Sequence, residues 1–375
     1  MNVPKLRFKE FNDEYAKLKY KDVLKIKSGK DQKQVEDENG KYPILGTGGQ
    51  IGKTNSFLYD KPSVLIGRKG TINKPQYMES PFWTVDTLFY SHIYEPNIPK
   101  YLFYSFQNVN WKKYDESTGV PSLSSSTIES VECSIPSPNE QIKVANFLSL
   151  LDKKIELQTK KIEDLKLFKK GLINILNKKS YQETTLGKIG KFQTSSIDKL
   201  VKENEKIVNL YNYMDVYKHK IIMTQDLSKL SKTSAKDNQI ITNNLKRGDI
   251  LFTPSSETPD DIGHSICIQE NLPNTVYSYH LLRYRPNIII DPLFSNYYFN
   301  NSKIRKQIIR YATGATRYTV SLDNFLKIKV DIPDLITQKK YGLLLYSTDK
   351  KVNKEMFKLN KLQELKKGLM QDMFV

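Results

Sequence analysis

Ile135-Pro136-Ser137-Pro138-Asn139-Glu140-Gln141, then Asp152-Lys153-Lys154-Ile155 and Lys169-Lys170-Gly171-Leu172, is a stretch the chain writes twice. The second copy reads Ile332-Pro333, Gln338, Asp349-Lys350-Lys351-Val352 and Lys366-Lys367-Gly368-Leu369. From the Ile-Pro pair onward the copies keep a constant shift of 197 residues, as from Lys169 to Lys366. Upstream, Thr118-Gly119 and Thr313-Gly314 match at a shift of 195, so the loops between differ by two residues. A repeat of half a chain predicts two similar modules related by an approximate two-fold, rather than a solenoid of short units.

Each copy contains a heptad ladder. The first runs Leu148, Leu151, Ile155, Gln158, Ile162, Leu165, Lys169, Leu172, Leu176. The second runs Leu345, Thr348, Val352, Glu355, Leu359, Leu362, Lys366, Leu369, Met373. One such ladder commonly belongs to an ordinary amphipathic helix. Two at equivalent places, with polar interruptions at matching rungs (Gln158 with Glu355, Lys169 with Lys366), predict that the helices pair with each other. Under a two-fold they run antiparallel, and about 40 residues make each roughly 60 Å long. The expected core of the pair is Leu148, Leu151, Ile155, Ile162, Leu165 and Leu172 against Val352, Leu359, Leu362 and Leu369. Ser137-Pro138-Asn139-Glu140 has the form of a capping box with proline at the first helical position. The second start, Thr337-Gln338, predicts a weaker cap.

The rest of the chain has a different texture. Segments 1–136 and 180–333 are rich in tyrosine, phenylalanine, glycine and proline, and hold short apolar runs broken by turns. Val64-Leu65-Ile66, 84–90, Ile250-Leu251-Phe252, 265–268 and 281–284 read as strands; 101–106, 293–299 and 302–311 read as short helices. Lys61-Pro62-Ser63-Val64-Leu65-Ile66 answers Arg247-Gly248-Asp249-Ile250-Leu251-Phe252, after which the loops diverge. The predicted fold class is α/β (α+β): two pseudo-symmetric globular α/β domains separated by two long antiparallel coiled-coil helices. The domains are 1–136 and 180–333, and the helices are 137–179 and 334–375.

With 375 residues, 38% hydrophobic and 27% charged, the chain can bury real cores. Its net charge of +18 favours a polyanionic partner, although only eight of the 59 basic residues are arginine. Cys133 and Cys267, one in each half, fit a reducing compartment better than a disulfide framework. Residues 1–11 lack an apolar leader core and no run of about 18 apolar residues occurs, so a cytoplasmic location without membrane association is expected.

Catalytic motifs fail on inspection. Gly46-Thr47-Gly48-Gly49-Gln50-Ile51-Gly52-Lys53-Thr54 has Thr47 where a phosphate loop needs glycine, and Pro62 comes where a helix should. Asp291-Pro292-Leu293-Phe294 lacks the second proline of an amino-methyltransferase motif and reads as a turn starting a helix. Pro259-Asp260-Asp261 lacks the carboxylate-x-lysine that metal-dependent cleavage needs. His92, His219, His264 and His280 have no ligand spacing. No catalytic residue, metal ligand or bound cofactor is expected on this chain.

There remains a set of polar loops beside strands, whose residue types suit contacts to phosphates and base edges. The candidates are Lys53 and Thr54; Arg68, Lys69, Thr71 and Lys74; Ser255 and Ser256; Tyr279 and His280; and Arg317 and Tyr318. For any one lysine a solvated surface is the commoner explanation. Arg68 and Arg317 are scarce residues in glycine-containing loops and stand out.

Duplicated variable modules, each leading through a Thr-Gly loop and Ile-Pro-x-x-x-x-Gln into a long helix ending Lys-Lys-Gly-Leu, resemble the DNA specificity subunit of type I restriction–modification enzymes. The opening Pro4-Lys5-Leu6-Arg7-Phe8 resembles the segment that comes after the helix in that family's circular layout. The resemblance implies a non-catalytic subunit whose two target-recognition domains each read half of a split site in double-stranded DNA. It implies docking of two modification subunits on the paired helices, with restriction subunits added in the full complex. S-adenosylmethionine, ATP and magnesium would then sit on those partners, for adenine-N6 methylation and ATP-dependent cleavage. The rival readings are a coiled-coil scaffold for RNA or an acidic protein, and the specificity partner of a fused methyltransferase–nuclease.

Overall fold

Proline at the first turn and Glu140 below it open the first long helix, Pro138–Lys178; the second is Leu335–Met373. The computed structural model describes residues 3–178 and 181–375, so the boundary expected between 179 and 180 lies outside the described residues. The chain forms two compact units: residues up to Lys160 with Met356–Val375, and Lys161–Glu355. The sequence divides the chain at the helix ends. The compact units instead each take half of both helices, because each globular part packs on both.

In the N-terminal unit a four-stranded antiparallel sheet runs in the order Leu24–Lys27, Leu88–Ile93, Ser63–Gly67, Gln76–Met78. A second sheet pairs Tyr42–Gly46 antiparallel with Gly49–Thr54 and parallel with Trp83–Thr84. A two-stranded piece joins Ala16–Lys19 to Glu132–Ile135, just before the long helix. The C-terminal unit repeats this plan. Its four strands are Gly190–Thr194, Leu282–Pro286, Ile250–Phe252 and Ser265–Cys267. Its three-stranded sheet pairs Lys206–Tyr211 antiparallel with Ser231–Ala235 and parallel with Thr275–Tyr277. Its two-stranded piece is Glu183–Thr185 with Lys329–Asp331. The mixed helix–strand modules and two long helices are the fold class expected from the sequence.

Aromatic side chains fill both cores: Tyr20, Tyr101, Phe106 and Trp111 in the first, Phe252, Tyr284, Phe294 and Phe299 in the second, all essentially buried. Both long helices enter these cores. Val144, Ala145, Leu148, Met370 and Met373 join the first cluster, and Leu176 joins the second. On the ladders, Leu148, Ile162 and Val352 are buried, and Leu151, Ile155, Leu165, Leu172, Leu359, Leu362 and Leu369 are half-buried. Off the ladders, Leu150, Leu157 and Leu167 are 67%, 59% and 68% exposed.

The repeated polar residues brace each module against the helices. In the N-terminal unit Tyr104 Oη donates to Asp152 at 2.8 Å, and Lys366 Nζ reaches the same carboxylate at 2.6 Å while lying 5.2 Å from the Tyr104 ring centre. In the C-terminal unit Tyr297 Oη donates to Asp349 at 2.9 Å, with Lys169 Nζ at 2.6 Å from Asp349 and 5.1 Å from the ring centre. Burial and the neighbouring carboxylate push both phenols above their ordinary value, which keeps them donors. In the C-terminal unit Lys161–Glu355 and Lys169–Asp349 advance along the helices in opposite directions, so the helices are antiparallel there.

A second brace is also duplicated. Gln141 Oε1 accepts from Ile98 N at 2.8 Å while its Nε2 donates to the Pro136 carbonyl at 3.0 Å. Gln338 does the same with Asp291 N at 2.8 Å and the Pro333 carbonyl at 2.7 Å. Ile98 and Asp291 are the N-cap residues of the short helices Pro99–Asn108 and Pro292–Tyr298, so each glutamine holds a module helix at its start.

The helix starts differ from expectation in one respect. The second cap is not weak: Asp334 accepts from Thr337 N at 2.9 Å and from Thr337 Oγ1 at 2.8 Å, and these bonds hold its carboxyl below the usual range. Glu140 is 1% exposed and serves a distant partner: Arg7 donates Nε at 2.8 Å and Nη2 at 2.7 Å, and Tyr15 Oη donates at 2.9 Å. The opening segment thereby closes onto the start of the first helix, and Leu6 N donates to the Asp372 carbonyl at the end of the second.

Candidate nucleic-acid interface

In both units the loop after a central strand is zipped to the loop that carries the Thr-Gly pair. In the N-terminal unit Ser63–Gly67 runs into Arg68, whose carbonyl accepts from Leu123 N at 2.9 Å; Gly70 N donates to the Pro121 carbonyl at 2.8 Å, and Lys69 bridges to Ser122. In the C-terminal unit Ile250–Phe252 leads to Pro254, whose carbonyl accepts from Val320 N at 3.0 Å, and Ser255 and Ser256 pair with Thr319 and Tyr318. Leu123 and Val320 are equivalent in the repeat, as are Ser122 and Thr319. The main-chain frame is therefore the same in both modules, while the side chains on it differ.

Glycine makes these turns possible at two places. Gly70 has φ +85°, and Gly314 has φ +142° with the space of a Cβ lying 2.0 Å from the Arg317 carbonyl oxygen. Thr313 and Thr319 exchange two main-chain bonds at 2.9 Å across that second turn, which leaves Arg317 at its tip.

On the N-terminal frame Arg68 and Lys69 are exposed and Thr71 is half-buried. Lys74 is exposed beside a cleft of about 510 Å³ shared with Gln107, Lys366 and Lys367. Lys53 is exposed on the neighbouring hairpin. Thr54 is a correction. Strand alternation turns it inward, it is fully buried, and its Oγ1 accepts from Ser56 N at 3.0 Å. The phosphate-loop look-alike is this hairpin, Tyr42–Gly46 with Gly49–Thr54.

On the C-terminal frame Ser255, Arg317 and His280 line an open groove of about 640 Å³ with Lys199 and Tyr213. Arg317 Nη2 donates to Ser255 Oγ at 3.2 Å, and Tyr213 Oη donates to the Ser255 carbonyl at 3.0 Å. Tyr279 is 52% exposed, its ring 3.9 Å from that of His280, and Tyr318 is half-buried. Burial, then Lys199 and Arg317, lower the pKa of His280. Ser256 is the second correction: it is 5% exposed, with its hydroxyl donating to the Thr258 carbonyl, so the hairpin pairing has turned it inward.

One cluster escaped the sequence reading. His219 and His264, far apart in the chain, face each other at 3.4 Å; His264 also meets Asp261 at 3.0 Å and accepts from Arg305 at 3.1 Å. Burial first, and Arg305 among the neighbouring charges, lower both imidazole pKa values. Because the folded state disfavours the imidazolium, the unfolded chain binds more protons below its histidine range. The stabilising contribution is complete above about pH 6.5 and is lost as pH falls through the folded values. The C-terminal unit is expected to lose hydrogen-exchange protection at 265–267 as pH falls below about 6.5. The double variant His219→Gln/His264→Gln should flatten that slope, and an unchanged slope would refute the assignment.

The two modules share one main-chain frame and carry different side chains on it. The family described as "Type I restriction modification DNA specificity domain" matches residues 12–167. The type I restriction enzyme EcoDI specificity subunit of Escherichia coli is 24% identical over 148 residues, 38% of this chain and 32% of that protein. The chain thus spans about a third of that relative's length. Among solved structures, the S subunit of a type I restriction–modification system from M. genitalium superposes with a TM-score of 0.65 at 17% identity, covering 100% of this chain and 99% of that one. A chain from a structure on complex assembly and conformational transition of the type I R-M system gives 0.52 at 10% identity, covering 95% and 96%. These two likenesses show a shared fold. Residues 12–167 are thus similar to a type I DNA specificity domain.

Proposed function

We propose that this chain reads a bipartite, asymmetric site in double-stranded DNA, one half with each module, and docks two modification subunits on its long helices. The observation that carries the reading is the zipped loop pair, repeated in main chain and changed in side chains. A frame kept constant with variable residues on it is what two readers of different sequences require. Lys53, Arg68, Lys69, Thr71 and Lys74 belong to the first reading surface; Ser255, Tyr279, His280, Arg317 and Tyr318 belong to the second. The net charge of +18 supplies the attraction to phosphates that precedes any base contact.

The exposed apolar residues off the ladders, Leu150 and Leu157 on one helix and Leu343 and Phe357 on the other, suit contact with partner subunits. The chain itself performs no chemistry on this reading. Its partners supply S-adenosylmethionine for adenine-N6 methylation and, where restriction subunits join, ATP and magnesium for cleavage. No helix among the described residues is long and apolar enough to cross a membrane.

The test is exchange of residues 46–90 for those of a relative with another target, expressed with the modification subunit in a methylation-free host. Single-molecule sequencing should show one half of the methylated motif replaced and the other half and spacer retained. Relaxation of both halves together would refute the modular reading.

A further inference from the structure

The fate of the arginines separates structural from available guanidinium groups. Arg7 and Arg285 are held by Glu140 and Asp249, Arg283 donates to the Thr242 and Asn244 carbonyls, and Arg305 to His264 and the Asp260 carbonyl. Arg247 and Arg310 are exposed away from the zipped loops, whereas Arg68 and Arg317 are exposed on them, with no carboxylate in ion-pair range among the described residues. Each frame thus carries one available guanidinium, on opposite arms. Arg68 lies on the strand-side arm, where the C-terminal module has Pro254. Arg317 lies on the Thr-Gly arm, where the N-terminal module has Val120, 66% exposed.

We propose that Arg317 reads a guanine in the half-site of the C-terminal module, with Ser255 as the residue that positions it. This rests on the DNA-reading function proposed above. The phosphate backbone is the same under both modules, so an arginine that served phosphate would be expected at equivalent places; a base reader need not recur. Arg317 also has the preparation that base reading demands. Gly314 and the Thr313–Thr319 bonds fix the turn, and Ser255 Oγ occupies one of the guanidinium's several N–H groups. The donors that remain can present the planar fork that matches guanine O6 and N7 together. Lys199, exposed on the same groove, is placed to take the phosphate instead.

The experiment compares the methylated motifs of wild type, Arg317→Ala, Arg317→Lys and Ser255→Ala, each made with the modification subunit in a methylation-free host. Wild type should give a split motif. Arg317→Ala should give that motif with one guanine position of one half degenerate, discrimination there falling roughly tenfold to a hundredfold, the range for one bidentate pair. Arg317→Lys should not restore it, because a lysine offers no planar fork, and Ser255→Ala should lose part of it. Were Arg317→Ala poorly folded, Arg317→Gln would be read in its place with the same expectation. A uniform loss of methylation with every base still required identifies a phosphate contact and overturns the proposal. So does an unchanged motif. A soluble wild-type complex that methylates no split motif refutes the DNA-reading function itself, and the guanine assignment with it.

Discussion

Replacing Arg7 by alanine is expected to lower the stability of the N-terminal unit by about 3–5 kcal/mol, the range for breaking a buried ion pair from one side. The cost comes less from the lost attraction than from what stays behind. Glu140, 1% exposed, would keep only Tyr15 of its three donors and would face a cavity. At roughly 2–4 °C per kcal/mol for a unit of this size, the melting transition should fall by roughly 10 °C. The paired change Arg7→Met/Glu140→Leu should recover most of the loss, since an apolar pair removes the stranded charge. A single variant within about 1 kcal/mol of wild type would show that water reaches the carboxylate and that the closure at Arg7 contributes little.

The second large effect concerns length. Inserting about seven residues between Asp152 and Lys169 keeps the ladder close to its helical phase but lengthens one helix by roughly 10.5 Å. Lys366 holds Asp152 in one unit and Asp349 holds Lys169 in the other. The second helix is unchanged, so the longer first helix cannot satisfy both; one Tyr–Asp–Lys brace and its neighbouring packing must break. Loss of soluble complex or of methylation is expected. A matched insertion of the same length between Asp349 and Lys366 should restore both braces. The methylated motif should then return with its spacer longer by about three base pairs, at ~3.4 Å each. Restored methylation with the original spacer would show that helix length does not set the spacer.

Much of this architecture is legible because the repeat supplies an internal comparison. The ladders mark the two long helices, and Val64-Leu65-Ile66 and Ile250-Leu251-Phe252 are readable as central strands of equivalent sheets. Lys169 and Lys366 are visible as matched interruptions but not as brace residues. Their partners lie about 180–215 positions away, and nothing local distinguishes Asp152 from any other acid on a helix. Only the recurrence of Asp-Lys-Lys with Lys-Lys-Gly-Leu hints at the pairing. Thr54 and Ser256 mislead for a different reason: composition suggests surface loops, whereas alternation in a strand and a two-residue pairing turn them inward. His219 and His264 meet only through the tertiary fold, and Asp334 caps from three residues before Thr337, outside the pair that marks the helix start in the sequence.

Each Tyr–Asp–Lys brace takes its tyrosine and aspartate from one repeat and its lysine from the other: Tyr104 and Asp152 with Lys366, Tyr297 and Asp349 with Lys169. Neither repeat contains a finished joint, so the halves are interwoven rather than merely tethered. In a chain with one module exchanged, a phenol where Tyr104 or Tyr297 stands is what completes the brace. The seam between module and helices therefore lies on the helix side of those tyrosines, and fit between the two is decided by a residue away from the zipped loops.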